Sequence, residues 1–322
     1  MNDIYSATVI VNNYIPQDQK DHTQDLLRAM IDFSPTSRGR LNICQDIVRC
    51  QMEANGTQGD NLATRLRNLS QYYSSNLLVP MRAKGGQTPK TTEHPSRQET
   101  MDQETMLNEL LMSGRVATRE RSTMKNLALR RDNYRSVLSG LVDDISIQAG
   151  LVPDTEFASF TQAAHIIPFS FGSNPEQAVV WTVLEHFSGM NVAMDLCEQN
   201  INRLSNILTL TMHEHQIFGR LSGWLEAVPD QGHTYRMCSQ RRYLEFPQGK
   251  VVTFTTTRSE YDLPDPRFIA IHAACAKVLH ASGMAEFIDR IIRDLEELKV
   301  LAEDGSSDVL FHALSGIAIE SC

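Results

Sequence analysis

The stretch that most constrains this chain lies between residues 163 and 219. Residues 163–167 (AAHII) and 208–211 (LTLT) read as short strands, and the second leads straight into a helix starting near Met212. Three polar side chains sit on this strand–strand–helix order. His165 falls in the first strand, Asn206 just ahead of the second, and His215 in the helix, nine residues after Asn206.

The rest of the chain is arranged around that segment. The first 81 residues predict helices. One starts after polar capping types near Asp21 and places Leu26, Leu27, Met30 and Ile31 on one face. Leu41, Ile43, Ile47 and Val48 mark a second helix, and residues 62–77 a third. Residues 82–104 are polar, with a Gly-Gly pair and two prolines, and read as a linker. A helix from about Met106 toward Leu129 follows, then β-rich pieces at 134–138, 234–237 and 251–256, and a helix at 176–187. After Asp262-Leu263-Pro264-Asp265-Pro266 a helical tail covers 267–302. The division expected is a helical region 1–81, the linker 82–104, a central domain 105–260 and a helical extension 261–322. The fold class is α+β and mostly helical.

Charge limits the partners. The 322 residues carry a net −9, and between Arg130 and Arg236 six Arg or Lys face twelve Asp or Glu, a local net of −6. Duplex binding draws most of its affinity from cationic contacts to phosphates, so this balance disfavours nucleic acid. The exception is the basic run Arg115, Arg119, Arg121, Lys125, Arg130, Arg131 and Arg135, which could track a phosphate backbone or form a solvated helix face. Six cysteines are scattered without a CxxC pair, and the first residues lack a basic and apolar leader. The expectation is an intracellular protein with free thiols and no secretory signal, cytoplasmic or nuclear.

The islands RRDNYRSVLSG (130–140), AAHIIPFSFG (163–172) and NILTLTMHEHQIFG (206–219) together resemble the HNH-nuclease domain found in many fungal proteins. W-L-E-A-V at 224–228, H-T-Y-R-M at 233–237 and the L-P-D-P to I-H-A-A stretch at 263–274 extend the likeness over about residues 128–290. The resemblance implies a central ββα core flanked by N-terminal and C-terminal helices. It implies His165 as general base, Asn206 as the residue that orients that base or the hairpin, and His215 as metal ligand. Mg, Mn or Zn would be the ion. The chain departs from the motif at Ala164, where many HNH enzymes carry a metal-binding Asp or His, and at Ser136 and Ser139, where Cys and Thr are usual. His213 lies on another side of the helix from His215. His186, Glu185, Asp195 and Glu198 fall between the two halves of the motif, on a solvated face or beside a metal.

Three functions follow. The first is an HNH scaffold repurposed for a small molecule, with no metal cofactor. His165 and Asn206 would be catalytic, and Phe169, Trp181 and Phe218 would line the substrate site. In a fungal setting that means a natural-product cyclase or isomerase, for example a Diels–Alder pericyclase. The second is a divalent-metal endonuclease, with nucleic acid held through the basic run. The third is a non-catalytic binding module, a homo-oligomer through its helical ends.

Overall fold

The computed structural model describes residues 2–56, 61–82, 121–168, 178–196, 201–256 and 258–297. The linker beyond residue 82, residues 106–120 of the helix expected before Leu129, and the tail beyond 297 lie outside these.

Helices come first. α1 (Asn2–Asn12), α2 (Thr23–Phe33), α3 (Ser37–Gly56) and α4 (Leu62–Tyr73) pack together, and α4 runs through a π-turn (Ser74–Leu78) into α5 (Val79–Arg82). Leu26, Leu27, Met30 and Ile31 are all buried, as their spacing predicts. Each such side chain stabilises the fold by about 1.5–3 kcal/mol.

α6 (Arg121–Arg131) opens the central region. The strand expected at 134–138 is absent: the chain turns there, with Asn133 at φ 53° and Tyr134 at φ 58°. Two successive left-handed residues cannot continue an extended strand. β1 (Val142–Asp143), α7 (Asp144–Gln148) and β2 (Ala158–Ser159) follow. Asp143 is buried, and its carboxylate takes hydrogen bonds from Ser146 at the start of α7 and Thr161 at the start of β3.

β3 (Thr161–His165) pairs antiparallel with β4 (Ile207–Thr211), His165 opposite Ile207 and Thr161 opposite Thr211. The crossing between them carries α8 (Ala178–Ser188), α9 (Ala193–Leu196) and a 3-10 turn (Leu204–Asn206). β4 is buried at every position and passes directly into α10 (Met212–Gly219). Alternation gives the hairpin two covered faces. Ala163 and Ile207 pack with Met124, Leu127 and Ala128 of α6, whereas Ala164, Leu208 and Leu210 join the main core with Ile217 and Phe218 of α10.

A second sheet, β5 (Gly223–Ala227), β6 (Thr234–Ser239) and β7 (Val251–Thr253), is antiparallel throughout. At Gly223 a Cβ would lie 2.7 Å from the Ile217 side chain, so only glycine lets β5 approach α10 this closely. The tail breaks at Ser282-Gly283 into α11 (Pro266–Ala281) and α12 (Met284–Glu297). α11 packs on both α2 and β5, and one hydrophobic core runs from the N-terminal helices through the hairpin to α12. No single described helix is long and apolar enough to cross a membrane.

Candidate functional site

His165 ends β3 and is half-buried. Its Nε2–H donates to Oδ1 of Asn202 at 2.9 Å, so a neutral ring carries its basic lone pair on Nδ1. Asn202 is a residue that sequence reasoning missed; an Asn four positions before Asn206 has no pattern to mark it.

Asn206 is completely buried. Its amide donates to the carbonyls of Ile167 and Ile201, each at 3.0 Å, and accepts the N–H of Ile167 at 2.9 Å. Both amide hydrogens are thus committed to backbone, and Asn206 acts as a clamp on the loop that leaves His165. No open N–H remains on it for a substrate carbonyl.

His215 is buried to 2% exposure, and its Nδ1–H donates to Oε1 of Gln162 at 2.6 Å. Gln162 and Ala164 share one hairpin face by alternation, and His165 belongs to the other, with Ala163 and Ile207. His213 is exposed. Beside His215, Glu214 closes a capping box with Thr211 and accepts the Ser136 hydroxyl at 2.5 Å. Ser136 therefore anchors the start of α10 from the loop after α6. The box follows the T-x-x-E spacing of residues 211–214.

A divalent ion needs several donors at one point. The Gln162 bond leaves Nε2 of His215 as the ring's lone-pair nitrogen, the tautomer a ligand needs. Ala164, in the neighbouring ligand position, offers no donor atom and is fully buried. Among the described residues no group of three His, Cys, Asp or Glu could hold a metal. The acids of the crossing do not complete one. Glu185 caps the N–H groups of Val192 and Ala193, Asp195 pairs with Arg203 and Arg267, and His186 pairs with Asp46. Glu176 and Glu198 lie outside the described residues. Among the described residues, the donor set does not fit a divalent ion.

The expected aromatic lining separates. Trp181 and Phe218 are core side chains, the latter stacked on His272 at 3.7 Å between ring centres, and Phe169 lies outside the described residues. The basic run is also partly internal. Arg131 corrects the expectation of a phosphate contact: it is buried, pairs with Asp132, and donates to the carbonyls of Leu204 and Ile207 at 2.9 Å. Lys125 lies 3.8 Å from Asp143, and Arg135 pairs with Glu156 at 2.7 Å. Arg115 and Arg119, and the side chain of Arg121, lie outside the described residues.

The family model described as HNH endonuclease matches residues 137–222, from the loop holding Ser136 to the start of β5. No curated protein and no solved structure matches the chain.

Proposed function

We propose that the HNH domain of this chain performs metal-independent acid–base chemistry on a small molecule, with His165 as the proton-transferring group. The observation that carries this reading is the donor set, which is incomplete among the described residues: His215 is held by Gln162, and Ala164, two positions along the same strand where the motif would carry a second ligand, is fully buried and has no donor atom. The charge pattern supports it, because Lys125, Arg131 and Arg135 are engaged with Asp143, Asp132 and Glu156.

His165 has the features of a positioned base. Asn202 fixes its tautomer, and Asn206 fixes the loop behind it. Isomerisation or cyclisation through one proton transfer needs no more than such a group and a held substrate. Fold and activity separate readily, so an HNH framework can carry this chemistry.

The second reading, a metal-dependent endonuclease, is favoured by the family match over residues 137–222. There His165 would activate water, and His215 would be one ligand of a Mg, Mn or Zn ion that stabilises charge on the phosphate. One experiment separates the two: calorimetric titration with Mg²⁺, Mn²⁺ and Zn²⁺, with plasmid nicking on the same sample and His215→Ala as control. Absence of both binding and nicking is the expected result. Tight binding that disappears in the variant, accompanied by nicking, overturns the small-molecule reading.

A further inference from the structure

A cleft lies between α3 and α8, apart from His165, Asn206 and His215. α3 presents Gly39, Asn42, Asp46, Arg49, Cys50 and Glu53 at three- and four-residue steps, which puts them along one side of the helix. Gly39 sets the spacing. A Cβ there would lie 2.1 Å from the Phe187 carbonyl oxygen, so the helices meet at this end only because the residue is glycine. Asn42 then donates to the His186 carbonyl at 2.8 Å.

Farther along, α3, α8 and α4 line an open cleft of about 320 Å³, at the small end of small-molecule sites. Its polar end holds a chain of three groups. His186 Nε2 lies 2.8 Å from Asp46 Oδ2, and the buried Tyr73 hydroxyl donates to the same oxygen at 2.5 Å. Burial pushes the Asp46 carboxyl up, but the bonds from His186 and Tyr73 outweigh it and hold the group below the ordinary carboxylate range. With Nε2–H on Asp46, a neutral His186 carries its lone pair on Nδ1, and 37% of this side chain is exposed. Leu69, Tyr72 and Val183 give the wall its apolar part, beside Cys50 and Thr182.

The charges in this cleft are unequally engaged. Glu53 is paired with Arg65 at 2.7 Å, and Asp46 is occupied by His186 and Tyr73. Arg49 is exposed and makes no ion pair among the described residues. A structural tie between two helices needs the His186–Asp46 pair alone; it does not need an open cleft with a guanidinium at its mouth.

We propose that this cleft is a second ligand site, which binds a small organic carboxylate with an apolar or aromatic body and a hydroxyl group. Arg49 takes the carboxylate with its planar fork. The body lies against Leu69, Val183 and Tyr72, and the hydroxyl donates to Nδ1 of His186, which Asp46 and Tyr73 hold in place. This site stands whichever reading of the HNH motif holds, because it shares none of those residues.

The probe is 4-hydroxybenzoate, titrated into the full chain by calorimetry beside benzoate and phenol. Saturable binding is expected, with each single-group analogue weaker. Arg49→Ala should weaken the probe by about tenfold or more. His186→Gln should erase the advantage of 4-hydroxybenzoate over benzoate, a change that loss of a mere helix tie would not produce. Arg49 is exposed, so its variant reports on binding even where the His186 variant fails to fold. Absence of saturable binding up to about 10 mM probe, or binding that Arg49→Ala leaves unchanged, overturns the proposal.

Discussion

The Nδ1–H of His215 donates to Oε1 of Gln162 at 2.6 Å across the seam between α10 and the hairpin, with both side chains on the face where Ala164 is fully buried. In a metal site such a bond orients a ligand; with no group of three ligands among the described residues, its consequence is the docking of α10. Gln162→Leu leaves the buried His215 N–H unsatisfied and should lower stability by about 1–3 kcal/mol. Urea denaturation measures this. If Gln162 instead oriented a ligand, the variant would also lose affinity for divalent ions by about 10–100-fold. An unchanged calorimetric trace is expected.

Asn206 joins the two ends of the crossing by three hydrogen bonds in a fully buried place. Asn206→Ala strands one N–H and two carbonyls and should cost about 3 kcal/mol or more. Asn206→Asp keeps the acceptor for Ile167 but turns a second acceptor toward the carbonyls of Ile167 and Ile201. Relative to the wild type at the same pH, it should therefore be less destabilised at pH 4 than at pH 7, since the protonated acid can donate. A deficit that does not change with pH would show that the loop rearranges around the new side chain.

Arg131 separates a structural cation from a nucleic-acid contact. Its side chain and that of Asp132 are 0% and 3% exposed, so Arg131→Met leaves Asp132 buried and uncompensated, at a cost of about 3–5 kcal/mol. A phosphate contact would behave in the opposite way, with stability retained and salt-sensitive DNA binding reduced. Thermal melts and a DNA-binding titration at two salt concentrations distinguish these.

His272 makes stability depend on pH. Burial pushes its pKa down to about 3, although its hydrogen bond to the Phe218 carbonyl opposes the shift. The folded chain therefore refuses a proton that the unfolded chain accepts below pH 6.5, the ordinary value. The stability from this group is complete above pH 6.5 and is lost as pH falls toward about 3, with a limiting slope of about 1.4 kcal/mol per pH unit. His280, shifted down by burial against a bond to Leu221, adds in the same direction. His272→Leu should flatten the dependence between pH 6 and pH 4 in urea melts, at some cost in stability at pH 7. A slope that persists undiminished in the variant would assign the acid sensitivity to other groups.

Much of this architecture was legible in the chain alone, because the determining signals are local. The spacing of Leu26, Leu27, Met30 and Ile31 can bury only as a helix face. The run at 207–211 is strand-forming, and the T-x-x-E step of Thr211 and Glu214 starts a helix wherever the rest of the protein lies. The order of His165, Asn206 and His215 is read from the sequence in the same way, and the family model described as HNH endonuclease matches residues 137–222. What failed locally was residues 134–138, whose composition suits a strand; the left-handed backbone at Asn133 and Tyr134 and the bond from Ser136 to Glu214 decide otherwise.

The use of each side chain was decided by tertiary structure, because a hydrogen-bond partner is a property of approach in space. Gln162 reaches His215 across 53 positions, Arg131 reaches the Leu204 carbonyl across 73, and His186 reaches Asp46 across 140. No periodicity or spacing encodes such pairs. They set His215 against Gln162, Arg131 as a buried strut and His186 beside a cleft, whereas the sequence suggests a metal ligand for the first, a phosphate contact for the second and a solvated or metal-side residue for the third.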